Sequence, residues 1–325
     1  MTFDPEQMPG VGPATAEKLL DAGYDTVRSV AIASPGELSK KTDIGASTAS
    51  DLINWAREKA DVGALESEGG VLQSKQQIER IRFDVDALDE LMDGGVETQS
   101  LTEVFGAEGS GRSLIAHRLS VLAQLPSEAG GLGGSAIYID TRGEFDPDTI
   151  STIVQSLSED QKRKLRDRHG VAEDEVETAV LENIHVSKVD SVNEQIIMAE
   201  KAKEKAESLR ESENPVRLVC VDTVSEHFKS EYQGRSEFSE RQMKLNKHLQ
   251  DFMRIGDLYN AAIVYTNDDG NKPDSSFGGQ ILSHTSTFQL RLLKQSTEKR
   301  TARLVSAPTL GDDECEIRIS GVEIE

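Results

Sequence analysis

The sequence is short of cysteine, of long apolar runs and of basic charge, and each shortage excludes something. Its 325 residues hold two cysteines, Cys220 and Cys315. Two are too few for a disulfide framework, and these lack the spacing of a metal site. No stretch approaches the ~18 consecutive apolar residues of a membrane-spanning helix. The opening MTFDPEQMPG has none of the basic-then-apolar pattern of a secretory signal. The expectation is a cytoplasmic protein with no membrane partner. Lysine and arginine number 36 against 58 aspartate and glutamate, a formal charge of −22. That excess describes either a surface for a basic partner or one kept hydrated in high salt. The acids are scattered through every segment rather than gathered in a tail, which favours a halophilic surface. In molar salt, charge is screened within ~3 Å, so the acidity does not by itself exclude a nucleic-acid partner.

What is present divides the chain in three. Residues 1–60 read as a small all-helical domain. Two glycine turns, Pro9-Gly10-Val11-Gly12 and Asp43-Ile44-Gly45-Ala46, precede the amphipathic runs Ala14–Leu20 and Thr48–Ala60, the pattern of paired helix-hairpin-helix units. Gly10, Gly12 and Gly45 let the chain turn tightly, and exposed N–H groups at the following helix starts can hold a DNA phosphate without side-chain charge. Six basic against nine acidic residues in this segment mean that any such contact runs through the backbone. A small protein–protein module fits the same pattern. Residues 61–78, with Gly63, Gly69, Gly70 and several Gln and Ser, read as a linker. From residue 79 to 325, short β-branched runs (Leu101–Phe105, Ala136–Asp140, Ile184–Val186, Val216–Asp222 and Ala261–Thr266) alternate with longer helical stretches. This implies an α/β domain with a mostly parallel sheet. The charged stretches Glu159–Glu182 and Met198–Ser212 read as solvated helices.

The run Gly106-Ala107-Glu108-Gly109-Ser110-Gly111-Arg112-Ser113 follows one strand and opens a helix at Leu114. It has P-loop spacing, with arginine where lysine belongs. The three glycines allow backbone N–H groups to turn inward as an anion nest, Arg112 and Leu114 flank the phosphates, and Ser113 suits Mg²⁺. Strand Val216–Val221 ends in Asp222, an acid for the metal side. ATP with Mg²⁺ is the expected cofactor; a glycine turn without a ligand is the bland alternative.

Further strings carry a resemblance. They are Gly94–Ser100, Leu125-Pro126 with Gly130–Ser135 leading into Tyr138–Thr141, Arg241-Gln242 with Lys244–Leu249, Met253–Ala261, Lys272–Ser275 and His284–Phe288. Together with the hairpin domain they make the chain resemble the RecA/RadA recombinase family of archaea over almost its whole length. The resemblance implies a RecA-like core, DNA binding, ATP-dependent filament formation and homologous recombination. It also places a first DNA loop within Lys229–His248, which holds Lys229, Tyr232, Arg235, Phe238, Arg241, Lys244 and Lys247, and a second within Asp268–Gln280, with Lys272. Tyr232 and Phe238 would stack on bases. Basic residues paired with the interleaved acids are the bland reading of the first loop.

The departures from that resemblance concentrate on ATP chemistry. Arg112 replaces the P-loop lysine with a longer, planar, forked cation. Arg142 stands where the family carries the glutamate that activates water. A guanidinium with a pKa above ~12 cannot accept a proton near neutrality. Losing a positioned base commonly costs ~10²–10⁴-fold in rate, and Glu144, two residues on, is a poor substitute in register. Phe145-Asp146-Pro147-Asp148-Thr149 lacks the family's two arginines near the base, and Asp268 replaces a glutamine that senses the terminal phosphate. The segment after Phe277-Gly278 is shortened, and Leu65 with Glu68 replaces the linker's self-docking pair. The expectation is a divergent paralogue acting as an accessory or mediator. It would bind single-stranded DNA, an active RadA recombinase or copies of itself, with ATP hydrolysis negligible. A working strand-exchange recombinase with unusual site residues is the alternative.

Overall fold

The computed structural model describes residues 8, 10–59, 78–272, 274–278 and 280–325. The chain forms two compact units, residues 1–76 and 77–325. The linker's Leu65 and Glu68 lie outside the described residues.

The first unit packs four helices, α1 (Pro13–Asp21), α2 (Val27–Ala31), α3 (Pro35–Thr42) and α4 (Ala46–Lys59). Leu19, Val30, Leu38, Leu52 and Ala56 are fully buried at its centre. On α1 the buried Ala16 and Leu19, and on α4 the buried Ala49, Leu52, Ile53 and Ala56, stand three or four apart, giving those helices one apolar stripe. Caps define the ends. Pro13 starts α1 with its φ preset, Thr26 and Ser29 form a reciprocal capping box on α2, and the Ser34 hydroxyl accepts from the Glu37 N–H. The two turns are not alike. Gly10 adopts the left-handed conformation in the first (φ 77°), whereas in the second that conformation falls on Asp43 (φ 52°) and not on Gly45. Gly45 instead supplies the carbonyl that accepts from the Ala49 N–H at 2.9 Å.

The second unit opens with a two-stranded ribbon, β1 (Arg80–Ile81) and β2 (Val96–Glu97), around α5 (Asp86–Leu91). There follow β3 (Leu101–Gly106), α6 (Arg112–Leu122), β4 (Ser135–Asp140), α7 (Pro147–Ser156), α8 (Glu159–His169), α9 (Val176–Glu182), β5 (Ile184–Lys188), α10 (Val192–Leu209), β6 (Val216–Asp222), α11 (Glu226–Glu231), α12 (Phe238–Tyr259), β7 (Ala262–Asp268), α13 (Gln280–Thr285), β8 (Phe288–Lys294), β9 (Lys299–Ser306), β10 (Asp313–Ser320) and β11 (Glu323–Ile324). The main sheet runs β11-β10-β9-β8-β3-β7-β6-β4-β5. From β8 through β5 every pairing is parallel, while β9, β10 and β11 extend it antiparallel.

Two apolar layers cover the sheet. One gathers Leu119, Tyr138, Ile150, Val180 and Leu290, and the other Ile137, Val192, Phe228, Leu249, Phe252 and Tyr265. Burial on both faces explains why β3 and β4 are buried at every position. The acids of α8 and α10 lie largely at the surface, with only Leu165 of α8 and an alanine-rich stripe of α10 buried. Among the described residues no helix is long and apolar enough to cross a membrane.

Candidate nucleotide site

Parallel registry brings the site together. Gly106 at the end of β3 pairs with Asp268 at the end of β7, and Asp140 at the end of β4 pairs with Asp222 at the end of β6. The carboxyl ends of four neighbouring strands therefore open on one place, the crevice where open α/β sheets bind ligands.

The glycine loop links β3 to α6. Gly109 and Gly111 both have positive φ, 69° and 106°. At Gly111 a side chain would also strike the Cδ1 of Ile319, so residue type is fixed there by both torsion and space. The Ser110 hydroxyl is buried with no hydrogen-bond partner among the described residues. An orphaned donor and two glycines in the left-handed region suit an anion cradle. Arg300, itself buried, braces the loop from below by donating to the Ser110 carbonyl at 3.1 Å and the Gly109 carbonyl at 3.0 Å. Ser113 and Leu114 on the first turn of α6 are half-buried.

Asp222 is buried, and both its oxygens are engaged. The Tyr138 hydroxyl donates to Oδ2 at 2.6 Å, and the Thr266 hydroxyl donates to Oδ1. Burial, reinforced by Asp222, pushes the Tyr138 hydroxyl well above its ordinary pKa, so it remains a donor. Tyr138 stacks on His117 at 5.0 Å, and Phe145 packs against both rings. Asp140 organises the turn that follows β4, accepting from the N–H groups of Arg142, Gly143 and Phe145 at 3.0, 2.7 and 2.9 Å.

The residues that depart from the resemblance touch one another. Arg112 is 6% exposed at its side chain, and its Nη1 donates to the Asn267 carbonyl and to Asp268 Oδ1, the latter at 2.5 Å. The Arg142 guanidinium lies 2.9 Å from Glu226 Oε2 and 3.5 Å from Asp268 Oδ2. Lys229 donates to the same Asp268 oxygen. Three cations from α6, the turn after β4, and α11 thus converge on one carboxylate. Burial pushes the Asp268 carboxyl up, but hydrogen bonds from Lys229 and Arg112 outweigh that and hold it below the usual range. Burial likewise works against the charge of Arg142, and Glu226 with Asp268 outweighs it and raises its pKa. Glu144 is exposed and makes no hydrogen bond or ion pair among the described residues. Asp146 and Thr149 have become a helix cap, Asp146 accepting from the N–H groups of Asp148 and Thr149 at 3.2 and 3.1 Å.

This fold and this loop, and the comparison with known proteins, agree. Residues 74–325 match the Rad51 family model, and residues 4–58 match the SAM-like helix-hairpin-helix tandem. The chain belongs to the Rad51 family. It is 50% identical over 331 residues to the DNA repair and recombination protein RadA of Haloferax volcanii, covering 97% of this chain and 96% of that one. It is similarly 47% identical to RadA of Haloquadratum walsbyi, over 97% and 96% of the two chains. RadA of Methanoculleus marisnigri is 42% identical over 96% of this chain and 95% of its own. This member of the Rad51 family is thus a DNA repair and recombination protein of RecA type.

The second face named by the sequence, the two DNA loops, is largely engaged with itself. Lys244 donates to the Tyr232 hydroxyl at 2.5 Å and pairs with Glu240 at 2.9 Å. Arg241 donates to the Tyr232 carbonyl at 3.2 Å. The Phe277 ring of the second loop has Lys229 at 4.5 Å and Arg241 at 5.0 Å from its centroid. Phe238 and Met243 remain 48% and 67% exposed, and the Arg241 guanidinium lies 5.2 Å from the Phe238 ring centroid. Lys247 and Lys272 are exposed; the side chain of Arg235 lies outside the described residues. Gly10, Gly12 and Gly45 of the first unit are exposed at their turns.

Sequence reasoning missed Glu226 and Arg300, and it treated Lys229 only as part of a basic stretch. No spacing marks them: each matters through a partner on a distant element.

Proposed function

We propose that this chain is a divergent paralogue that serves recombinational repair as a DNA-binding accessory of an active recombinase. It binds nucleotide weakly and hydrolyses it negligibly. The observation that carries this reading is Arg142, a permanent cation at the position of the family's water-activating glutamate, held by Glu226 and Asp268. A group that cannot accept a proton cannot serve as general base, and the two carboxylates paired with it, Glu226 and Asp268, are engaged with cations.

ATP with Mg²⁺ is supported by the loop's glycines and the orphaned Ser110 hydroxyl. Backbone N–H groups of Gly109, Gly111, Arg112 and Ser113 would hold phosphate, the Ser110 N–H being already donated to the Ala107 carbonyl at 3.1 Å. Ser113 and Asp222, the latter already bonded by Tyr138 and Thr266, would hold the metal. When bound, the metal supplies charge neutralisation on the phosphate oxygens. Single-stranded DNA is supported by exposed Phe238 and Met243, with exposed Lys247 one helical turn after Met243. Because Lys229, Arg241 and Lys244 are already engaged within the chain, the grip on DNA is weaker than that of a full recombinase.

The test is strand exchange, run in high-salt buffer with an active RadA, with this protein, and with both. The accessory reading expects no exchange by this protein alone and a changed rate or yield when it is added to RadA. Exchange by this protein alone at a rate near that of RadA would replace it with the reading of a working recombinase.

A further inference from the structure

Asp268, at the mouth of the glycine loop, is a carboxylate faced by three cations. It sits beside Gly106 in the sheet, one strand over. Its two oxygens are shared among Arg112, Lys229 and Arg142, drawn from three separate elements. One of these cations is the loop's own. In a P-loop the residue at position 112 is the cation that reaches the terminal phosphates of a bound nucleotide, while the backbone nest cradles the phosphates nearer the sugar. Here that cation is spent on an internal carboxylate.

The carboxylate is also held in place from behind. Asp269 pairs with Arg291 at 3.0 Å, and Asp274 pairs with Arg291 at 2.8 Å and Arg303 at 3.1 Å. Asn267, the preceding residue, is buried and bonds Glu103, Ser225 and the Phe277 carbonyl through its side chain. Asp268 therefore leaves an anchored strand end and enters an anchored segment. Moving it aside to admit another anion would leave three partly buried cations to be matched again.

We propose that the Asp268 carboxylate stands where a terminal phosphate would take Arg112, and that it makes this site selective for nucleoside diphosphates over triphosphates. A diphosphate fills the N–H nest and ends short of the cluster. The third phosphate of a triphosphate would meet a fixed carboxylate, and like-charge juxtaposition of that kind costs several kcal/mol. The inference rests on the reading of the glycine loop as a nucleotide site.

The experiment is titration calorimetry of ADP and ATP, each with Mg²⁺, against the full-length protein and Asp268→Asn, with hydrolysis followed in the same samples. The unaltered protein is expected to bind ADP at least ~tenfold more tightly than ATP, a modest fraction of the like-charge penalty. Asp268→Asn, which keeps the shape and removes the charge, is expected to narrow that ratio at least ~fivefold, by strengthening ATP. Equal binding or a preference for ATP in the unaltered protein overturns the inference, and that comparison needs no variant to fold. An unchanged ratio in a folded Asp268→Asn, checked by its melting curve, overturns it as well. If neither nucleotide binds, the nucleotide-site reading falls and takes this inference with it. Hydrolysis of ATP overturns only the accessory reading, and the ratio still judges Asp268.

Discussion

Arg142→Glu restores the residue type that the family uses to activate water, and the structure predicts that by itself it damages the protein. The introduced carboxylate would face Glu226 and Asp268, whose oxygens now lie 2.9 and 3.5 Å from the guanidinium. Two like charges ~4 Å apart repel by up to ~4 kcal/mol at an effective dielectric of ~20. The three side chains are 25%, 37% and 26% exposed, so water reaches all of them and reduces that figure several-fold. Adding the lost attraction gives a net destabilisation of about 2–3 kcal/mol, which for a unit of this size lowers Tm by roughly 5–10 °C. Scanning calorimetry at two KCl concentrations is the assay. The loss should shrink at the higher salt, because part of it is screened. Adding Asp268→Gln should recover at least about half of the loss, since contacting residues couple non-additively. An Arg142→Glu variant that melts within ~2 °C of the unaltered protein at low salt would refute the idea that the cluster is a coupled unit. So would a second substitution that rescues nothing.

Two further predictions use other parts of the molecule. Glu103 is fully buried, and burial raises its pKa against hydrogen bonds from Asn267 at 2.8 Å and Gln289 at 2.5 Å. The folded state therefore holds this proton more tightly than the unfolded chain. The resulting stability is complete below the ordinary value of 4.5 and is lost as pH rises through the raised one. Glu103→Gln should remove that slope from a plot of Tm against pH, and parallel curves for the two proteins would contradict it. Phe238→Ala should weaken binding of a labelled single-stranded oligonucleotide by roughly tenfold, within the ~1–3 kcal/mol of one stacked base. Fluorescence anisotropy measures this, and an unchanged affinity would take the start of α12 out of the interface.

Five parallel strands were legible, among them β5, which is largely not buried, whereas β8, buried at most positions, carried no recognised run. Strands β3, β4, β6 and β7 begin and end within two residues of their β-branched runs, because a doubly covered strand reads as an unbroken apolar string bounded by turns. Strands β9 and β10 were not legible. Their sequences, KRTARLVS and DECEIRIS, mix charge with apolar residues, and β10 is largely exposed at the margin of the sheet. Helices α1 and α4 of the first unit were legible by periodicity and the short α2 and α3 were not, and in the second turn the left-handed residue is not the glycine. Asp43 took the left-handed conformation, which aspartate tolerates better than most residues.

At the site, each substitution was visible singly: Arg112, Arg142, Asp268 and the altered Asp146 and Thr149. The meeting of Arg112 and Arg142 at Asp268 was not, because it depends on parallel registry and on side chains crossing between strand ends, neither of which spacing encodes. As isolated changes they read as decay. As a cluster they form a network in which Asp268 and Glu226 balance Arg112, Arg142 and Lys229, while Asp146 and Thr149 cap a helix instead.

On the proposed reading, this member of the Rad51 family has a site unable to activate water. ATP hydrolysis by the purified protein, in high-salt buffer with and without single-stranded DNA, tests it most directly, with an active RadA measured alongside. The account predicts a rate indistinguishable from background that DNA does not stimulate. A DNA-stimulated rate within about tenfold of RadA would be too fast for a site lacking its base, and would contradict the claim.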